Sequence, residues 1–400
     1  MIMKKILFVS LLFLVESVNA QDYVHQVFIL NEGYFDYAIN QSIEPVTVGS
    51  YDPNTQTYNT IDTIHGARFA SDLVVDNDYF YVAADNKLFK YDKDNYNLLA
   101  SQNIDGVRNL AIWNDKIIVT RGDYDNINFS PIFFNSYLQI YNKSDLSLFI
   151  ELDTIVGPKW STQNIIIDDN KAYVAINNAY HWGNYKGIIG ILDLNTYSYL
   201  NEFDLGPDGI NPDNMMKDGN NLYTINNKDW SGSSISKCNL LTNSVSTINL
   251  STVSTGCGTS CMRDGMINYQ LSGDSVLYEW STVTLPNNGL SLGFNKTFYD
   301  LSFDMINNQL YSSTSDYSTY GEINIYNQNN SLINSFSCGI SPGNIVFDIR
   351  TMSTSNIEDI SSDFEDDGVL YDLSGRRINT DICIPDGVYI SNGKRIYIKR

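Results

Sequence analysis

Residues 72–82 read DLVVDNDYFYV, residues 164–174 NIIIDDNKAYV and residues 214–224 NMMKDGNNLYT. Each opens on Asp or Asn, crosses a mostly apolar run to a second Asp four residues on, and makes a polar turn into a tyrosine-bearing strand. Asn, Asp and Gly tolerate the left-handed backbone of tight hairpin turns, so each stretch reads as two antiparallel strands. The same pattern recurs outward in both directions. Asp72, Asn109, Asn164, Asn214, Asp264, Asp300 and Asn344 each stand at the start of an apolar run. In six cases Asp or Asn returns four residues later, at Asp76, Asp168, Asp218, Asn268, Asp304 and Asp348. Successive copies lie 36 to 55 residues apart.

A second mark lies further along most copies. Tyr51-Asp52, Tyr91-Asp92, Tyr141-Asn142, Leu192-Asp193 and Tyr326-Asn327 each close a strand and open a polar turn. The unit is therefore four strands: an apolar run, a hairpin, a strand reaching the Tyr-Asp mark, and a last strand. Four-stranded repeats of this length are the blades of a β-propeller. The expected fold is all-β, a seven-bladed β-propeller with a short C-terminal β tail; six or eight blades, or a long β-sandwich array, are the alternatives. The copy around Cys261 to Phe294 is short and fits least well. The N-terminal segment from Val27 to Ile64 supplies three strands without a first. The run Ile345-Val346-Phe347, at the end of the array, is expected to complete that blade and close the ring, leaving no exposed sheet edge.

In a propeller, the loops entering the first strands share one face with the loops joining second strands to third. The Asp/Asn ring then surrounds the channel mouth, beside this chain's largest insertions: Arg121 to Tyr137, Asn177 to Gly187, Asn226 to Ser234 and Thr314 to Tyr320. Those insertions are rich in aromatics, including Tyr124, Phe129, Phe133, Phe134, Tyr180, His181, Trp182, Tyr185, Trp230, Tyr317 and Tyr320. Long loops of this kind more often carry function than not. Aromatic rings beside amides and carboxylates suit a large, flat, mostly uncharged ligand or a sugar chain. For any one of these residues a structural role, in a satellite core or a capped turn, is the more common use.

Composition excludes several classes. The chain has 400 residues and a net charge of −21, which disfavours binding to nucleic acid phosphate. Three histidines, His25, His65 and His181, form no metal-ligand spacing, so neither a metal nor a cofactor is expected. No Gly-x-Ser-x-Gly elbow and no phosphate-binding loop is present. Asp92-Lys93-Asp94-Asn95 resembles the start of a calcium loop but lacks its glycine and terminal glutamate. No catalytic residue is assigned, although paired carboxylates such as Asp72, Asp264 and Asp300 would suffice for a glycosidase. Of the five cysteines, Cys257 and Cys261 are the best placed for a disulfide, with free thiols as the alternative.

The two ends read as export signals. Lys4 and Lys5, the apolar run Ile6 to Val15 and Val18-Asn19-Ala20 form a secretory signal peptide over residues 1–20. The propeller is expected over 21–350 and an acidic linker over 351–367. A basic segment over 368–400 follows, too small to bury a core of its own. Within it, Tyr371-Asp372-Leu373-Ser374-Gly375-Arg376-Arg377, then Gly387-Val388-Tyr389-Ile390-Ser391-Asn392-Gly393-Lys394, and the terminal Lys399-Arg400 resemble the C-terminal sorting signal of the Bacteroidetes type IX secretion system. That resemblance implies a protein secreted or held on the outer cell surface.

Val27-Phe28-Ile29-Leu30-Asn31-Glu32-Gly33, followed by Val48-Gly49-Ser50-Tyr51-Asp52-Pro53 and the later repeats, resembles the YncE-like surface propellers of Bacteroidetes. That group includes propellers that capture cobalamin for a TonB-dependent transporter, but those are lipoproteins, whereas this chain carries a sorting tail. The resemblance implies a non-catalytic binder of a small molecule, with a corrinoid or a glycan as ligand and a TonB-dependent receptor as partner. A carbohydrate-active hydrolase and a protein-binding scaffold or adhesin are the alternatives. The candidate contacts are Asn31, Glu32, Asp72, Asn109, Asn164, Asn214, Asp264, Asp300 and Asn344, with Tyr124, Phe133, His181, Trp182, Trp230 and Tyr317 stacking on the ligand.

Overall fold

The computed structural model describes residues 21–352, 358–359, 369–373, 376–378, 384, 387–391 and 394–398. The signal-peptide reading, most of the acidic linker and Cys383 lie outside them. Seven four-stranded antiparallel sheets follow one another along the body of the chain. The fold is a seven-bladed β-propeller.

Closure runs through both ends of the array. The inner strand Pro342–Thr351 pairs with Asp22–Asn31, which pairs with Val46–Asp52 and then Thr57–Ile64. The remaining six blades take their four strands in chain order, beginning at the inner strands Ala70–Val75, Val107–Trp113, Thr162–Asp168, Pro212–Asp218, Thr255–Arg263 and Leu301–Asp304. The sixth blade is the short copy. Its outer strand is only Leu290–Ser291, against nine residues in Leu332–Ile340 of the seventh.

Alternation along the strands puts apolar side chains between neighbouring blades. Phe28, Leu30 and Val48 of the first blade pack against Leu73, Phe80 and Val82 of the second. Val27, Ile29 and Tyr51 pack against Tyr311, Ile323 and Ile325 of the seventh. The first blade is thus gripped on both sides, and each side chain fully buried there contributes about 1.5–3 kcal/mol. The Tyr-Asp mark has a physical basis in the same terms. Tyr51, Tyr91 and Tyr141 are buried, while the following residue turns the chain. Asp52 Oδ1 accepts the Asn54 amide at 2.8 Å, and Asp92 Oδ1 accepts the Asp94 amide at 2.9 Å.

Cys238, Cys261 and Cys338 are free, buried thiols. Cys261, expected as the disulfide partner of Cys257, is thus a free thiol. The Cys261 side chain lies instead in the apolar layer between the sixth and seventh blades, with Leu277 and Leu310. Burial pushes its thiol up to about 12, so it stays a neutral core group.

The described chain divides into two compact units, Val24–Ile349 and the remainder. In the C-terminal part, Glu358–Asp359, Lys394–Ile398, Gly387–Ser391 and Leu370–Tyr371 form a small sheet in that order. Leu370 and Tyr389 are buried against Ile378, Ile384 and Ile398.

Candidate functional site: the channel mouth and its aromatic wall

The ring residues form a belt between blades. Asp72 Oδ2 accepts the Leu110 amide at 2.7 Å, so the second blade's ring residue holds the residue after the third blade's. Asn164 Oδ1 accepts the Met215 amide at 3.2 Å, and Asp300 takes the amide of Ile345. Asn344 Nδ2 donates to Asp72 Oδ1 at 3.2 Å, joining the first and second blades. Asn214 Nδ2 donates to the Ser260 carbonyl at 2.8 Å. A buried backbone amide needs a partner, and inner strands have none on the channel side. The recurrent Asp/Asn supplies it, so the repeat is in large part a device of the fold.

Two candidates do not belong at the mouth. Asp264 sits in the hairpin between Thr255–Arg263 and Met266–Leu271, at φ +49°, on the opposite face from the loops that enter inner strands. The equivalent of Asn214 in that blade is Thr259, four residues before the Arg263↔Met266 pair, as Asn214 precedes Asp218↔Asn221. A longer bulge between Thr255 and Ser260 hides this register. Asn31 is fully buried inside the first blade, where Nδ2 donates to Thr47 Oγ1 and the Tyr58 hydroxyl, both at 3.1 Å. It supports the sheet.

The mouth itself is a polar cavity of about 390 Å³. Glu32, Asn109, Asn164, Asn214, Asp300 and Asn344 line it, while Asp72 is turned into the belt. Arg108, Gln163, Asp213 and Tyr299 also line it. Glu32 Oε1 accepts the Tyr299 hydroxyl at 2.8 Å. Burial pushes Glu32 up to about 7, against the opposing effects of that hydrogen bond and of Arg108. Burial likewise pushes Asp213 and Asp72 up to about 6 and Asp300 well above the usual carboxylate range. Among the described residues no set of three or more His, Cys, Asp or Glu side chains is placed to hold a metal ion.

Beside the mouth opens a second cavity of about 330 Å³, sharing Gln163 and Asp213 with it. Its wall is aromatic: Tyr37, Tyr124, Phe129, Tyr180, Trp182 and Trp230, with Asn177 and Asn211 as amide contacts. The rings brace one another. Tyr124 stacks on Tyr180 at 5.7 Å and on Phe129 at 6.1 Å, and its hydroxyl meets that of Tyr37 at 2.6 Å. The Arg108 guanidinium lies 4.2 Å from the Tyr180 ring centre and 4.8 Å from that of Phe69, while Nε donates to the Gly122 carbonyl at 2.7 Å. Arg68 stands behind, paired to Asp85 at 2.5 Å and Asp123 at 2.9 Å. Trp182 is 68% exposed and Trp230 42%.

Of the other aromatic candidates, Phe133 and His181 pack edge to face at 5.9 Å outside this cavity. Tyr317 packs edge to face on Tyr299 at 5.4 Å, one ring away from the mouth. Tyr37 was not expected. It stands beside the small hairpin Tyr34–Asp36 and Gln41–Glu44, the second-to-third loop of the blade that closure completes. Once the first strand of that blade is seen to come from the far end of the chain, residues 33–45 are legible as a fifth insertion on this face.

No protein-family model and no curated protein matches this sequence. Among solved structures, a hypothetical selenium-binding protein from Sulfolobus tokodaii aligns over 82% of this chain and 94% of its own, at 9% identity and a TM-score of 0.57. A chain described as KlHsv2 with loop 6CD replaced by a Gly-Ser linker aligns over 68% of this chain and 83% of its own, at 11% identity and a TM-score of 0.43. The first similarity supports the propeller fold and nothing narrower; the second is too loose to argue from.

Proposed function

We propose that this chain is an exported, non-catalytic binding propeller that captures a flat, amphipathic small molecule at the channel mouth. The observation that carries this reading is the junction of two cavities through Gln163 and Asp213, one walled by six aromatic rings and the other by amides and carboxylates. Ligand sites combine an apolar wall with a few convergent polar groups in this way. The first ligand to test is a corrinoid, whose flat macrocycle and amide fringe match ring faces bordered by Asn177, Asn211 and Gln163. Delivery to a TonB-dependent receptor, after export by the N-terminal signal and the type IX tail, completes the proposal.

Titration calorimetry with cyanocobalamin is the test. Saturable heat whose affinity falls about tenfold in Trp182→Ala supports the corrinoid, and no heat at micromolar protein removes it. The hydrolase alternative draws on a narrower observation: Glu32 and Asp300 are raised carboxylates in one cavity. Turnover of a glycan that disappeared in both Glu32→Gln and Asp300→Asn would favour that alternative.

A further inference from the structure

The mouth holds a surplus of carboxylates over cations. Glu32 on the end of Asp22–Asn31, Asp213 on Pro212–Asp218 and Asp300 before Leu301–Asp304 all line it. The cation among its lining residues is Arg108, from Val107–Trp113, already stacked between Phe69 and Tyr180 and 4.0 Å from Asp123. Asp72 faces the belt and the Tyr299 hydroxyl is given to Glu32. Arg68 behind the wall is matched by Asp85 and Asp123. A funnel lined by one sign of charge concentrates ions of the other. Asp300 is only 8% exposed, and its Oδ2 has no hydrogen-bond partner among the described residues. A buried carboxylate oxygen left in that state is costly unless a ligand completes it.

We infer that the mouth is a seat for the ammonium group of a ligand whose aromatic or otherwise flat body lies in the adjoining cleft, with Asp213 as the shared contact. Asp213 is placed for this because it lines both cavities, with the Gly258 amide 3.4 Å away and the Asn227 side chain also in contact with it. Arg108 and Tyr180 mark the boundary between the seat and the cleft. The inference rests on the small-molecule reading above but not on the corrinoid; cyanocobalamin carries no ammonium group and tests the body of the site alone. Because Glu32 and Asp213 hold their protons to about 7 and 6, a cation entering the seat must displace them. Asp300, which burial also holds well above the usual carboxylate range, faces the same seat, so affinity for the cation rises with pH as these carboxyls lose their protons.

The probes are phenethylamine, phenethyl alcohol and phenylacetate, which share one ring and differ in charge. Each is titrated into the full chain at pH 5 and pH 8, with binding read by calorimetry. The amine is expected to bind at least about tenfold tighter than the alcohol at pH 8, the size of one charge-assisted hydrogen bond. That advantage shrinks at pH 5, and phenylacetate binds worst at pH 8. Asp213→Asn is expected to bring the affinities of amine and alcohol at pH 8 to within about twofold of each other, and Glu32→Gln, the second variant, to narrow the same difference. Equal binding of amine and alcohol at pH 8 overturns the ammonium seat and leaves small-molecule capture standing. Binding of none of the three at millimolar concentration overturns the seat as well, while cyanocobalamin separately decides the capture reading.

Discussion

Lys93 Nζ lies 2.9 Å from Asp348 Oδ1, and the two side chains are 5% and 0% exposed. Asp348 belongs to the strand that comes from the far end of the array, and Lys93 to the second blade. Gln26, from the strand between them, donates Nε2 to Asp348 Oδ2 at 3.2 Å and to the Lys93 carbonyl at 3.0 Å. Its Oε1 accepts the Ser50 and Tyr96 hydroxyls at 2.6 and 2.9 Å. A buried ion pair is costly to assemble but more costly to break, because removing one partner strands a charge away from water. Here it sits where the ring is closed by strands more than 300 residues apart in sequence.

Breaking this latch on one side is therefore expected to be severe. Lys93→Ala or Asp348→Ala should each lower stability by about 3–5 kcal/mol. The double change Lys93→Met with Asp348→Leu should recover most of the loss, since it removes both charges and keeps the volume. Urea unfolding followed by tyrosine and tryptophan fluorescence measures all three. If the double variant were no more stable than the single ones, the charge explanation would fail and packing alone would be responsible.

Stability should also depend on pH in an unusual direction near the mouth. Glu32 and Asp213 have folded values of about 7 and 6 against ordinary values of 4.5 and 3.8, chiefly through burial. The folded chain then binds protons the unfolded chain has released. The contribution of these groups is greatest below the ordinary values, falls as pH rises through the folded ones, and is flat above about 7. Glu32→Gln should accordingly be more stable than the parent at pH 8, by on the order of 1–2 kcal/mol, and show no gain at pH 4. Denaturant midpoints of both proteins at the two pH values give the answer; an equal loss at both would mean that the Tyr299 contact matters more than the charge.

Much of this fold is legible in residues 72–82 and their copies, because strand alternation and Asp/Asn turns are local signals. Ring closure is legible too, since a first strand is missing at one end and spare at the other. The purpose of the ring residues is not. Asp72 caps the Leu110 amide across a blade boundary, and nothing in a repeat of 36 to 55 residues distinguishes a side chain aimed at the next blade from one aimed at the channel. Arg108, Gln163 and Asp213 escape for a related reason. They precede Asn109, Asn164 and Asn214 by one residue, at bulges where the pairing with the second strand shifts, and only that shift turns them to the mouth. The aromatic loops were visible by composition, but which rings converge depends on the paths of insertions from different blades.

Asp264 offers a sharp check of the corrected register. It occupies the first position of a two-residue Asp-Gly turn, at φ +49° followed by Gly265 at +73°. The left-handed backbone costs most residues about 1–2 kcal/mol, and Asp, Asn and Gly least. Asp264→Gly should be nearly neutral and Asp264→Val destabilising by roughly that amount. Neither should change binding of any ligand at the mouth, which is on the other face. A calorimetric titration in which Asp264→Gly weakened binding as much as Asp213→Asn would refute the assignment of faces.

The aromatic wall can be read out through its own tryptophans. Trp182 and Trp230 are exposed, whereas Trp280 is only 1% exposed and its Nε1 donates to the Pro286 carbonyl at 2.7 Å. Acrylamide should quench the first two and spare the third, so Trp182→Phe with Trp230→Phe should remove much of the quenchable emission. Because these side chains lie on the surface, the double change should alter stability by no more than about 0.5 kcal/mol. Truncation to Trp182→Ala should instead weaken binding of a stacked ligand about tenfold, near 1.4 kcal/mol, within the range of one lost aromatic contact. The same truncation at Trp113, which packs edge to face on Tyr197 at 6.2 Å beside the apolar layer between the third and fourth blades, should lower stability and leave affinity unchanged. Equal loss of affinity in both variants would point to a general loosening of the propeller and against a stacking role for the cleft.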